Sequence, residues 1–304
     1  MGKGGKIIII TSNSLKYYIR IYHFINTYAK LYLSDGSFLP DVTEGQKRKE
    51  HAHMKETLYT IPLNDAFMAK DECPFCFIER NVEQDLLDFT LGSGSSYMES
   101  DVREATDKAG FCRAHFKKMF DYGNTLGNGW ILKTHYVQIN KELKEQTKMF
   151  SKGKVSFLNR IKKDETTNSI SQWIDEREKS CYICKRFEDT YARYLDTFFF
   201  LYKKDEDLSQ KLKESKGFCL YHFGDIMKAS DSALNEKQKD SFYPLIFDIM
   251  EKNMERVGED VSWLVEKFDY KNKDADWKNS KDAVQRGMQK LHGGYPADSP
   301  YKAK

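Results

Sequence analysis

All six cysteines of the 304-residue chain fall into two copies of one pattern. The first copy is Cys73-Pro-Phe-Cys76, followed by Gly110-Phe-Cys112-Arg-Ala-His115-Phe116. The second is Cys181-Tyr-Ile-Cys184, followed by Gly217-Phe-Cys219-Leu-Tyr-His222-Phe223. The copies are offset by 108 residues at the first pair and 107 at the second, so a single deletion aligns them. Thiolates and imidazoles at these spacings suit a tetrahedral metal ion. Cys-x-x-Cys offers two thiolates from one turn, and Cys-x-x-His offers a thiolate and an imidazole. On a helix the i, i+3 spacing puts both ligands on one face.

The simplest assignment gives each repeat its own Cys3His site. Cys73, Cys76, Cys112 and His115 form one, and Cys181, Cys184, Cys219 and His222 the other. Soft thiolate ligands with imidazole favour zinc, two ions per chain. An iron–sulfur cluster is the alternative, since His can replace Cys as a ligand. Disulfides are disfavoured because no signal peptide is recognised and a reducing compartment is expected. Redox chemistry of the Cys-x-x-Cys type belongs after a strand in a βαβ unit, and no such strands are read here.

The elements that must position these groups read as helices. Phe75, Ile78, Val82, Leu86 and Phe89 step by three or four before Gly92-Ser-Gly. Pro74 suits a first helical position and makes Cys73 a cap. A short helix through Met98, Val102 and Ala105 ends at Gly110, and another starts at Cys112. Gly123–Gly129 reads as a loop. Leu132, Tyr136, Ile139, Leu143 and Phe150 form a core stripe on a long helix. In the second repeat Phe187, Tyr191, Tyr194, Phe198 and Leu201 make the first stripe, and Leu208 and Leu212 mark the short helix. Pro244 opens a last long helix with Met250, Met254, Val257, Val261, Leu264 and Phe268 on one face. Val284, Met288 and Leu291 suggest a final helix stopped by Gly293-Gly294. The expected fold is all-α: two tandem helical repeats, each pinned by its own metal, with the long helices packed across the pseudo-two-fold.

The organisation follows. Residues 54–150 are the first metal-binding repeat, 151–170 a charged linker, and 171–270 the second repeat. Residues 271–304 are a short helix and tail. Residues 1–53 carry eight Lys/Arg and four Asp/Glu, so +4 of a chain total of +3, and the remaining 251 residues carry −1. The basic excess therefore lies outside the repeats, and a basic nucleic-acid face on them loses support. Residues 1–53 are expected to be a non-native or disordered extension, with the native start at Met54, where MKETLYTIPLNDAF takes on globular character. No run of ~18 uncharged apolar residues predicts a membrane span.

At MKETLYTIPLNDAF, CPFC, YMESDVREATDKAGFCRAH, CYIC, GFCLYHF and the terminal GGYPA, the chain resembles an uncharacterised bacterial family. Some of its members are labelled ABC transporter substrate-binding protein. The resemblance spans about Met54 to Ala297 and implies the later start. It carries no activity with it. The transporter label gains no support from a leader, an N-terminal lipoprotein cysteine or α/β lobes.

Three functions remain. The first is a cytoplasmic helical protein with structural zinc, binding a macromolecule or small ligand. The second is a thiol- or metal-dependent enzyme, or a metal or redox sensor, working through one site. It would want an acid such as Asp107 or Glu214 nearby, although both read as surface charges. The third is nucleic-acid binding through Lys117, Lys118, Lys185 and Arg186 beside the ligands, which the charge balance disfavours. Gly92-Ser-Gly-Ser-Ser lacks the Lys of a phosphate loop. Whether the chain is an enzyme, and its oligomeric state, stay open.

Overall fold

The computed structural model describes residues 58–152 and 169–297. The chain divides into two units, Met1–Ala52 and His53–Lys304, and all described residues belong to the second. The extension expected at 1–53, most of the linker and the end of the tail lie outside the described residues. Those that are described contain eleven α-helices and no strand. In chain order these are α1 (58–68), α2 (Pro74–Leu91), α3 (Ser100–Ala109), α4 (Arg113–Tyr122), α5 (Thr125–Lys152) and α6 (Ser169–Lys179). They continue with α7 (Tyr182–Lys204), α8 (Glu206–Glu214), α9 (Leu220–Ala233), α10 (Glu236–Glu266) and α11 (Ala283–His292).

The central packing is α2 against α7, and the two run antiparallel. Near the start of α2, the Phe75 ring lies 5.8 Å from the rings of both Tyr191 and Phe198, well along α7. Near the end of α2, Arg186 from the start of α7 lies 5.4 Å over the Phe89 ring. This crossing builds two cores, each from both repeats. One joins Leu63, Phe67, Phe75 and Ile78 to Phe198, Leu208, Phe218, Phe242 and Ile246. The other joins Leu87, Leu91, Val102, Phe111 and Ile131 to Cys181, Tyr182 and Ile183. Apolar burial on this scale supplies the main drive to fold.

Several elements depart from the expected pattern. The principal contact across the repeats is α2 on α7. The long helices take other partners: α5 packs on α3 and α10 on α11. The expected 123–129 loop is the start of α5, because the Asn124 side chain accepts the Gly127 N–H at 2.8 Å and also donates to the Leu91 carbonyl at 2.6 Å. Helix α10 begins before Pro244, at an Asn235–Gln238 capping box. The α5 stripe is not core: Leu132, Tyr136, Leu143 and Phe150 are exposed. At 28 residues, about 42 Å long, α5 outruns the elements packed on it.

The final helix is present with its faces exchanged. Val284, Met288 and Leu291 face solvent, while Arg286, Gln289 and Lys290 are buried. Gln289 donates to Asp71 Oδ1 at 2.6 Å, and Arg286 Nη1 donates to Asp260 at 2.9 Å. Lys290 donates to the carbonyls of Glu72, at 2.7 Å, and Lys216. The carboxylate of Glu72, 3% exposed, gathers Arg256, Lys216, Lys290 and Arg286 within 3.7 Å. Burial alone would raise this carboxyl, but the Arg256 hydrogen bond and the surrounding cations outweigh it and hold it below the usual range. Removing that one anion takes from buried Lys290 its only carboxylate partner among the described residues and loosens Arg256, Lys216 and Arg286 around it. Glu72→Gln is therefore expected to cost about 3–5 kcal/mol in denaturant unfolding at neutral pH. A loss below about 1 kcal/mol would contradict this account of how α11 is held.

Candidate metal centres

The ligand pairs sit at four helix N-termini. Cys73 and Cys181 are the N-caps of α2 and α7, with Cys76 and Cys184 in the first turns. Cys112 and Cys219 cap α4 and α9, with His115 and His222 three residues on. The backbone N–H of Cys184 points to Cys181 Sγ at 3.5 Å, and that of His222 to Cys219 Sγ at 3.4 Å. Peptide dipoles at such ends favour thiolate over thiol. The repeated Gly-Phe before each Cys-x-x-His also has a structural reason. Gly110 and Gly217 hold φ of +65° and +72°, in the left-handed region that favours glycine. Phe111 and Phe218 then enter one core each.

The eight predicted residues come together as two clusters, but not one per repeat. Cys73 and Cys76 meet Cys219 and His222, whereas Cys181 and Cys184 meet Cys112 and His115. Each cluster thus takes its Cys-x-x-Cys from one repeat and its Cys-x-x-His from the other, and the within-repeat assignment is corrected. Helix lengths explain the exchange. Helix α2 has 18 residues and α3 only ten, spans of about 27 Å and about 15 Å. Helix α3 alone does not retrace α2, and the chain brings Cys112 beside Glu83, midway along α2, where antiparallel α7 begins. The same argument returns Cys219 from α8 to the start of α2.

We call the first cluster the inner centre and the second the outer. In the inner centre His222 Nδ1 lies 3.2 Å from Cys219 Sγ, 3.3 Å from Cys73 Sγ and 3.5 Å from Cys76 Sγ. Cys76 and Cys219 sulfurs are 3.8 Å apart. In the outer centre His115 Nδ1 lies 3.2 Å from Cys112 Sγ and 3.3 Å from the sulfurs of Cys181 and Cys184. Cys112 and Cys184 sulfurs are 3.8 Å apart. All six cysteines are free thiols. A tetrahedron of zinc-length bonds has edges of ~3.8 Å between sulfurs and ~3.6 Å between sulfur and nitrogen, so both donor sets fit one such ion.

Two residues that sequence reasoning missed complete the centres. Glu79 Oε1 lies 3.1 Å from His222 Nε2, and Glu83 Oε1 lies 3.0 Å from His115 Nε2. They stand one turn apart on α2, so a single helix serves both imidazoles. The Glu83 hydrogen bond holds His115 with Nε2 outward and Nδ1 toward the sulfurs, the orientation a metal ligand needs, and Glu79 stands in ionic contact at the same place behind His222. The spacing was visible, since Glu79 and Glu83 follow Cys76 by three and seven residues on one helix face. The acids considered earlier lie elsewhere: Asp107 accepts from Thr134, and Glu214 from Gln210. Of the basic residues near the ligands, Lys117 pairs with Asp121, Lys118 with Glu83, and Arg186 stacks on Tyr182 and Phe89.

The donors perturb one another strongly. Burial alone would lower the imidazole of His115, but Cys181 and Glu83 push it up to about 10. Cys219, Cys76 and Glu79 push His222 up to about 12 against the same burial effect. Burial would raise Cys181, yet the His115 contact and backbone N–H groups bring it down to about 6. Burial and the neighbouring sulfurs raise Cys73, while hydrogen bonds from Cys73 and Cys76 lower Cys219. Neighbouring sulfurs oppose one another's ionisation, a repulsion that a bound cation relieves.

A family described as "Family of unknown function (DUF6062)" matches residues 54–298. The chain belongs to this family. No curated protein and no solved structure matches it. The match runs across both repeats and contains all eight clustered residues.

The crossed partition has a direct test by peptide mapping after mild alkylation. Cys112→Ser is expected to raise labelling of Cys181 and Cys184 and leave Cys73 and Cys76 protected. Raised labelling of Cys73 and Cys76 instead would restore the within-repeat pairing.

Proposed function

We propose that this protein is a zinc-braced helical binding module whose two halves are joined by two structural ions. The observation that carries the reading is the crossed partition, because each ion closes a contact between the repeats. All four donors of each cluster are supplied by the chain, which leaves no position for a reacting water or substrate and favours a structural role. Donors within 4.8 Å of one another have room for a single ion, which supports zinc over a multi-iron cluster. No described helix is long and apolar enough to cross a membrane, in keeping with the cytoplasmic site we infer. The partner is a macromolecule or small ligand, with nucleic acid disfavoured by the −1 charge of residues 54–304.

Protein purified from its native host is expected to carry two zinc ions per chain. Removal of both ions should melt the two repeats together, since the ions tie them to each other. One ion per chain, or none, would overturn the reading. Glu79→Gln and Glu83→Gln are each expected to weaken zinc at one centre by about 10- to 100-fold in chelator competition. Unchanged affinity in both would remove the carboxylates from the design. A second reading, a sensor working through one cluster, is favoured by the partial exposure of Cys112 and Cys184.

A further inference from the structure

The two centres are unequal, and their surroundings differ in kind. Every ligand of the inner centre is sealed: Cys73, Cys219 and His222 are fully buried and Cys76 is 1% exposed. In the outer centre Cys112 and Cys184 are only half-buried. The inner seal is made by the C-terminal helix. A side-chain carbon at Gly293, just beyond α11, would stand 3.5 Å from Cys219 Sγ and 3.8 Å from Cys76 Sγ. The backbone there covers the sulfurs directly, with φ of +81° at Gly293. Buried Lys290 ties this lid to the carbonyl of Glu72, the residue before Cys73. At the outer centre the corresponding loop is held by a backbone bond, Tyr182 N–H to the Gly110 carbonyl at 2.9 Å. In the first repeat Pro74 takes the place of Tyr182 and has no N–H to give. Lys290, holding the carbonyls of both Glu72 and Lys216, bridges that junction instead. Electrostatics point the same way. Three thiolates and a divalent ion leave one net negative charge, and the inner centre has buried Lys290 beside it. At the outer centre Lys118 pairs with Glu83 and draws on the carboxylate that would make His115 a stronger donor.

We propose that the outer centre, Cys112, His115, Cys181 and Cys184, is a metal-exchange site, while the inner centre keeps its ion as a permanent brace. The exchanged species is a zinc-class divalent ion, and the acceptor or donor is a thiolate- or chelate-bearing ligand. This assignment rests on the zinc reading above. The step is ligand substitution without redox change. An incoming donor binds the ion from the Cys112–Cys184 side, the metal–sulfur bonds to this chain break in turn, and the released thiolates take protons from water.

The experiment uses the full chain loaded with two zinc ions and challenged with 4-(2-pyridylazo)resorcinol. Release is expected in two equal phases, the first at least tenfold faster. Alkylation by N-ethylmaleimide in the same reaction, mapped by mass spectrometry, should mark Cys112 and Cys184 during the fast phase. Cys73, Cys76 and Cys219 should be marked only in the slow one. Lys290→Met is expected to quicken the slow phase and leave the fast one unchanged. Should that variant not fold, the site-resolved labelling of the unaltered chain decides. A single phase for both ions, or a fast phase that marks Cys73, Cys76 or Cys219, overturns the assignment while leaving the zinc reading intact. A chain that binds no zinc at all overturns the zinc reading and this one with it.

Discussion

The antiparallel crossing of α2 and α7 is the constraint on which the rest of the structure depends. Each of these helices begins with a Cys-x-x-Cys, so opposite directions place the two pairs toward opposite ends of the crossing. The short helices that follow are only about half the length of the helices they leave, and they do not carry the chain back to its own start. Each Cys-x-x-His is thereby delivered to the other repeat's cysteines. The same crossing divides the apolar residues into two cores, both of mixed origin. Neither repeat contains a complete centre or a complete core. The two repeats share their centres and cores, and the family match spans both, over residues 54–298.

Clustering three thiols and an imidazole costs free energy unless their charges are met. Four helix N-termini meet part of it, two at each centre, through peptide dipoles that face the sulfurs. Glu79 and Glu83 meet another part by standing behind the imidazoles. Both carboxylates come from α2. The aligned positions in the second repeat hold Phe187 and Tyr191, and the Tyr191 ring instead lies 5.7 Å from that of His222, tilted by 36°, and its hydroxyl donates to Asp225. The internal repeat is thus symmetric in its ligands and asymmetric in what supports them. A single helix, one turn of it, orients both centres, and a displacement of α2 would be felt at each.

The residue types carried more of this structure than their order did. The all-helical class and the eight clustering residues follow from spacing, because Cys-x-x-Cys and Cys-x-x-His declare themselves locally. The partition does not, since spacing is silent on whether two helices lie parallel or antiparallel. The start of α10 was legible in Asn235 and Gln238, whose reciprocal bonds outrank the proline nine residues into the chain beyond the cap. The helix through Gly127 was not, because it depends on Asn124 reaching the Leu91 carbonyl of another helix. In α11 the apolar period identified a helix correctly and assigned its faces backwards. Arg286 and Lys290 are buried there because Asp260 and Glu72 wait for them, and those partners are distant in sequence.

That reversal follows from what α11 covers. A helix laid on its apolar face would bring Val284, Met288 and Leu291 against Glu72 and Asp71 and withdraw Lys290, Arg286 and Gln289 from them, leaving Glu72 to Arg256 and Lys216 and Asp71 to Arg80. With its polar face inward it satisfies them, reaches the carbonyls of Glu72 and Lys216, and sets the Gly293 backbone against two sulfurs. Glycine is favoured there by its positive φ, and a side-chain carbon at this position would sit in van der Waals contact with the Cys219 and Cys76 sulfurs. The terminal Gly-Gly-Tyr-Pro-Ala belongs with the cysteine motifs for this reason, since its first residue closes the inner centre. The outer centre has a backbone hydrogen bond in place of the Lys290 latch, and two of its sulfurs keep contact with solvent. The chain therefore treats two chemically identical ligand sets in opposite ways, and the difference lies in what the C-terminal helix covers.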